Sequence, residues 1–152
     1  MVLRKSKSPK TNARRASVST VGGYRRARAD HARELAEDYV ELIDELIHAT
    51  GEARAVEIAA RLGVSQVTVT NTISRLKRAG LVRSEPYRSV FLTAKGKLLA
   101  EKARTRHRVV LDFLVALGVG RADAELDAEG IEHHLSEATL AAMKRYLKDL
   151  GE

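Results

Sequence analysis

Val56-Glu57-Ile58-Ala59-Ala60-Arg61-Leu62-Gly63-Val64-Ser65-Gln66-Val67-Thr68-Val69-Thr70-Asn71-Thr72-Ile73-Ser74-Arg75-Leu76 is the stretch on which the fold of this chain turns. Ile58, Ala59 and Leu62 share one face of a short helix. Gly63 supplies the tight turn that follows. Ser65 is placed to cap a second helix, whose Val69, Ile73 and Leu76 point inward at helical spacing. Helix lengths, turn residue and apolar spacing agree on a helix-turn-helix.

Outward from this motif, Gly80 closes the second helix. Leu81–Glu85 and Ser89–Thr93 read as short strands with Pro86-Tyr87-Arg88 at the tip between them, which makes a winged helix. Upstream, a helix is expected from Arg25 to Ala49. It carries Leu35, Tyr39, Leu42, Ile43, Leu46 and Ile47 as one apolar stripe and is ended by Gly51. Downstream, Thr93 caps a helix running to about Leu117, basic in its first half and apolar in its second. Gly118 and Gly120 break it, and two helices follow near 122–134 and 136–149. These three helices carry more apolar surface than they can bury alone, so a second copy is expected against them. The expected fold is mostly α: an N-terminal winged helix-turn-helix, joined by a long helix to a small all-helical dimerisation domain. The expected divisions are a disordered basic arm at 1–24, a DNA-binding domain at 25–95 and a dimerisation and metal-binding domain at 96–152.

Composition narrows the chemistry. The chain has 152 residues, 44% of them hydrophobic, which is enough for a core. It has no cysteine, so any metal must take oxygen and imidazole ligands, as Mn2+ and Fe2+ do. No apolar run approaches the roughly 18 residues of a membrane span. The basic N-terminus has no apolar stretch behind it, so a cytoplasmic protein is expected. The net charge of +7 is unevenly spread: residues 1–28 carry nine Lys/Arg and no acid, and residues 75–108 carry eleven against two acids. Residues 29–74 and 109–152 each carry nine acids, against three and four bases. Two surfaces are therefore suited to a polyanion and two to cations.

On the second helix of the motif, Ser65, Gln66, Thr68, Thr70 and Asn71 are the polar residues near the N-terminus, where base edges are read. Gln and Asn pair with adenine, and Thr methyls meet thymine methyls, which favours A·T-rich half-sites. Arg75, further along, and Arg83 and Arg88, on the wing, are candidates for phosphate. One winged helix reads little sequence, so a twofold dimer on double-stranded operator DNA is expected.

Two segments about 90 residues apart carry metal-type ligands. On the first helix, Glu34, Asp38, Glu41 and Glu45 form an acidic line, a repulsion that costs a few tenths of a kcal/mol per pair. Glu34, Glu37, Asp44 and Glu45 read as a solvated acidic face. Asp38 and Glu41, which flank Tyr39 at the edge of the apolar stripe, are better candidates. In the second segment, Glu129, Glu132 and His133 fall at i, i+3 and i+4. His134 is turned about 100° away and reads as a supporting residue. His107, midway along the long helix, becomes a candidate only if the other segments converge on it. Two other readings stand beside this one: a winged-helix regulator of a small organic ligand, and a metallohydrolase using paired carboxylates. The second is disfavoured by the absence of a nucleophile constellation and of His-Glu-x-x-His.

In combination, Asp38-Tyr39-Val40-Glu41, Ala59-Ala60-Arg61-Leu62-Gly63-Val64-Ser65, Phe91-Leu92-Thr93-Ala94-Lys95-Gly96 and Glu129-Gly130-Ile131-Glu132-His133-His134 resemble the manganese transport regulators, a branch of the diphtheria-toxin-repressor-like metalloregulators. The similarity covers about residues 30–150. It implies a cytoplasmic homodimer that binds Mn2+, two ions per subunit, and then represses metal-uptake genes. It implies no enzyme activity and no small organic substrate. The implied metal ligands are Asp38, Glu41, His107, Glu129, Glu132 and His133. Iron-responsive relatives carry Met and Cys at the positions of Asp38 and Glu132, so the oxygen ligands here favour Mn2+. The SH3-like domain of those relatives is not expected, and the basic arm lies outside the family's common core.

Overall fold

The computed structural model describes residues 13–151, with side chains from residue 22 onward. The chain divides into two units, Met1–Arg33 and Glu34–Glu152. In the first unit the described residues are helical, and Tyr24, Arg25, Arg26 and Arg28 are exposed. Helix α1 runs from Ala13 to Thr50, so it starts twelve residues before the expected Arg25 and takes in half of the expected disordered arm. Gly22 and Gly23 do not stop it, because glycine inside a helix costs only about 1 kcal/mol relative to alanine. Residues 1–12 of that arm lie outside the described residues.

In the second unit, α1 is followed by α2 (Ala55–Leu62), α3 (Gln66–Arg78), β1 (Val82–Arg83), β2 (Phe91–Leu92), α4 (Ala94–Ala116), α5 (Arg121–Ile131), a 3-10 turn (Glu132–His134) and α6 (Glu137–Leu150). Gly63 sits at φ 66° at the end of α2, the left-handed conformation that the turn requires. The Ser65 hydroxyl accepts the backbone N–H of Thr68 and starts α3. Tyr39, Ile43, Ile58, Val69, Ile73, Leu76, Val82, Val90 and Leu92 form one buried core, which gathers α1, α2, α3 and the wing. Val40, off the expected stripe, is buried in it as well.

The strands pair antiparallel, Val82 with Leu92 and Arg83 with Phe91. They are shorter than the five-residue runs expected, and Val90, next to β2, makes an isolated antiparallel bridge to Ala53. The wing is anchored by side chains too: Ser89 donates to Glu52 at 2.8 Å and Lys77 to the Ser84 carbonyl at 2.7 Å.

Helix α4 joins two cores. Ala100 packs with the first, while Val110 and Leu111 pack with Ala124 and Ala128 in the second, flanked by Leu114, Leu135 and Met143. Phe113 meets Tyr146 edge to face at 5.3 Å. Leu117, Leu126 and Leu150 remain exposed, the apolar surplus expected of this domain. The start of α4 is fastened to the end of α3. The Thr93 hydroxyl accepts from Gly96 N–H and lies within donating distance of the Gly80 and Leu81 carbonyls, and Lys95 donates to the Ala79 carbonyl. Gly96 is glycine because a Cβ there would lie 2.1 Å from the Leu81 carbonyl oxygen.

A Gly96→Ala substitution is expected to destabilise the protein by about 1–3 kcal/mol, as forced overpacking does. Gly130→Ala, where a Cβ meets nothing within 4 Å, should be neutral or stabilise by up to about 1 kcal/mol. Thermal unfolding of the two variants checks both.

Candidate metal centre and nucleic-acid interface

Helix α1 presents Asp38 and Glu41 one step from the buried Tyr39, Val40 and Leu42, so their carboxylates sit at the rim of the core. Helix α4 brings His107 beside the same region, and the turn after α5 brings Glu132 and His133. Glu132 is the centre of the arrangement and is 3% exposed. Its Oε2 lies 2.6 Å from His107 Nδ1, and its Oε1 lies 3.5 Å from His133 Nε2. Asp38 Oδ1 is 3.4 Å from that same Nε2. Glu129, largely exposed, stands 3.7 Å from His107 Nδ1. His107, Glu129 and Glu132 offer ligand atoms within 4.8 Å of one another. Five of the residues thus form two groups that share Glu132: Asp38 and His133 on one side, His107 and Glu129 on the other. Glu41 lies close enough to Asp38, Glu132 and His107 to feel the charge of each.

The second segment is not the single helical face that its spacing suggests. Helix α5 ends at Ile131, and Glu132–His134 is a 3-10 turn, which winds tighter than an α-helix. The turn directs His133 toward Asp38 and leaves Glu129 with His107. His133 is buried and His134 exposed. A side chain read from sequence as solvated, Glu37, lies beside His133 instead. Glu37 is 1% exposed and accepts from Arg106 and from His133 Nδ1. Asp44, also expected to be solvated, is paired with Arg104 and largely covered. Glu45 does lie on the surface, 3.6 Å from Arg61.

The electrostatics are those of a site with too few cations. Burial, then the neighbouring Glu132 and Asp38 carboxylates, push the Glu41 carboxyl up to about 7, against the pull of His107 and Arg104. Burial raises Asp38 and Glu132 as well, with His133 and His107 respectively pulling them back. Burial would lower His133, but the bond to Glu37 and the fields of Asp38 and Glu132 outweigh it and raise it. All four groups hold protons more tightly than they would in water. Such a cluster exchanges protons for a divalent cation. Its oxygen and imidazole donors, with no sulfur among them, fit a hard or borderline ion.

Ser65, Gln66, Thr68, Thr70, Asn71 and Arg75 are all exposed along α3, as is Arg88 on the wing. Ser65 and Thr68 share their hydroxyls within the cap, and Thr70 donates to the Gln66 carbonyl. Gln66, Asn71 and Arg75 make no side-chain hydrogen bond or ion pair among the described residues. Val67, 70% exposed on the same face, was not singled out from sequence, since an apolar residue in a helix reads as core. Arg54, Gln66, Thr70, Lys77, Tyr87 and Arg88 line a groove of about 710 Å³ between α3 and the wing.

Known proteins resemble the chain in two parts. Residues 32–90 match the N-terminal DNA-binding domain of the iron-dependent repressors, and residues 93–152 match their metal-binding and dimerisation domain. The transcriptional regulator MntR of Escherichia coli O6:H1 is 52% identical over 131 residues, covering 86% of this chain and 84% of its own. MntR of Salmonella typhimurium is 50% identical, covering 86% and 83%. Among solved structures, a manganese-dependent transcriptional repressor in complex with manganese superposes with a TM-score of 0.67 at 30% identity. The manganese regulator SloR superposes with a TM-score of 0.65 at 27% identity. Each superposition covers 74% of this chain but only about half of the solved one, 52% and 53% respectively. A DNA-binding motif and a metal-type cluster on one framework, with identity of this extent, settle the kinship: the chain belongs to the iron-dependent repressor family of transcriptional regulators, as an MntR-like member.

Proposed function

We propose that the chain is a cytoplasmic homodimeric repressor that binds operator DNA when Mn2+ occupies the Glu132-centred cluster, and that it controls manganese-uptake genes. The observation that carries this reading is the convergence of Asp38, Glu132 and His133, from opposite ends of the chain, beside a second group of His107 and Glu129. This division supports two ions per subunit: Asp38, Glu132 and His133 would hold one and His107, Glu129 and Glu132 the other, with Glu41 beside both groups. Residues 25–95 act as the DNA-binding domain and residues 96–152 as the dimerisation and metal-binding domain. The ion supplies positive charge among carboxylates contributed by both. It favours the DNA-competent form only by its differential affinity for that form.

Base reading falls to Gln66, Asn71 and Thr70, with Ser65 and Thr68 as the cap and Arg75 and Arg88 on phosphate. Val67 adds an apolar contact suited to a thymine methyl.

In a gel shift on a promoter fragment across Mn2+, Fe2+ and Zn2+, the protein is expected to need metal and to respond to Mn2+. Stimulation should fall within about 5- to 150-fold. Asp38→Ala and His133→Ala should remain folded dimers and lose the stimulation. Metal-independent affinity in the wild type would overturn the reading, and a response to Fe2+ alone would reassign the ion. Asn71→Ala should cost about 1–3 kcal/mol at a particular base pair. Arg88→Ala should weaken all sequences alike and reduce the salt slope by about 1.

The pH dependence has a definite sign. Carboxyls raised in the folded state bind protons that the unfolded chain has released, so stability falls as pH rises between the two values. For Glu41 that window runs from 4.5 to about 7. Asp38, Glu132 and His133, also raised, act in the same direction. Metal-free protein should therefore melt at lower temperature as pH is raised through that window. Glu41→Gln should flatten the trend, and Mn2+ should reverse it while releasing protons. Calorimetry in buffers of different ionisation enthalpy counts those protons.

A further inference from the structure

One carboxylate in this region faces away from the cluster. Glu37 is among the most fully buried large side chains of the protein. Its two oxygens accept from Arg106 Nη1 at 3.2 and 3.0 Å, and Oε2 lies 2.8 Å from His133 Nδ1. Arg106, itself only 9% exposed, stabilises a charge that would be very costly if buried alone. Glu37 comes from α1, Arg106 from α4 and His133 from the turn after α5, so the chain of contacts ties three elements.

The chemistry of imidazole gives this contact a direction. A neutral ring carries its proton on one nitrogen and a lone pair on the other. A buried carboxylate can only accept, so it fixes the proton on Nδ1. The lone pair is then left on Nε2, the nitrogen that faces Asp38 and Glu132. Carboxylate partners of this kind orient metal-binding imidazoles and raise their basicity. Arg106 and His107 are neighbours on α4, about 100° apart around its axis. One supports His133 through Glu37, and the other meets Glu132 directly.

We propose that Glu37, held by Arg106, is the positioning residue of His133: it sets the tautomer and ring orientation that present Nε2 to a divalent cation. The inference rests on the metal-dependent reading above, and it adds two residues that do not themselves touch the ion. Glu37 is committed to its two partners, while Asp38, the next residue, faces His133 Nε2.

The test is made on the full chain with 15N-labelled histidine, metal-free and at alkaline pH, where imidazole is neutral. Wild-type His133 is expected as the Nδ1–H tautomer, and a predominance of Nε2–H would overturn the proposal outright. The double variant Glu37→Leu with Arg106→Met removes the pair without leaving a lone buried charge. It should lose the preference and bind Mn2+ about 10- to 100-fold more weakly by calorimetry. Glu37→Gln, which keeps an accepting oxygen, should retain the tautomer and most of the affinity. Weaker Mn2+ binding with an unchanged tautomer in the double variant would mean a merely structural role and would also overturn the proposal. If the wild type binds no Mn2+, the metal-dependent reading fails, whereas the tautomer still decides this inference by itself.

Discussion

Four carboxylates drawn together around Glu132 repel one another, and the folded chain has too little positive charge nearby to quiet them. Asp38, Glu41, Glu129 and Glu132 face two imidazoles, while Arg104 and Arg106 are committed elsewhere, to Asp44 and Glu37. The arrangement is a stored electrostatic debt. Burial first, and this repulsion after it, push Glu41 up to about 7, and burial raises Asp38 and Glu132 as well. A partly buried cluster of like charges is relieved by protons or by a cation. The same imbalance that destabilises the metal-free protein gives a divalent ion its hold.

The neighbouring contacts divide the work. Arg106–Glu37–His133 is internally balanced, and it joins α1, α4 and the turn after α5 without needing an ion. Arg104–Asp44 is a second such tie between α1 and α4. On the two helices, unbalanced residues lie next to balanced ones in sequence: Asp38 beside Glu37 on α1, and His107 beside Arg106 on α4. One residue step around a helix moves a side chain by about 100°, enough to separate a paired framework group from a member of the cluster.

Much of the DNA-reading half was legible from sequence, because its signals are local. Gly63, Ser65, Gly80 and Thr93 mark boundaries by backbone chemistry, and Val69, Ile73 and Leu76 mark the inner face by period. The charge partition and the spacing of Glu129, Glu132 and His133 pointed to cations. What stayed hidden depended on distant partners. Glu37 looked like one more acid on a solvated face, since nothing near it in sequence announces an arginine 69 residues away. The 3-10 turn escaped notice because Glu132-His133-His134 continues a helical pattern without a breaker. The bridge of Val90 to Ala53 was also out of reach, since it joins the wing to a residue 37 positions earlier in the chain.

The fastening at the start of α4 makes that helix a lever. Thr93, Lys95 and Gly96 clamp its first turn to the carbonyls of residues 79–81, immediately after the recognition helix. From Gly96 to His107 the helix rises about 16 Å. A sideways shift of about 1 Å at His107 therefore corresponds to a tilt of roughly 3° about the clamp. The tight glycine seat leaves little slack to absorb that rotation, so small displacements at the histidine end reach the base of the wing as a change of angle.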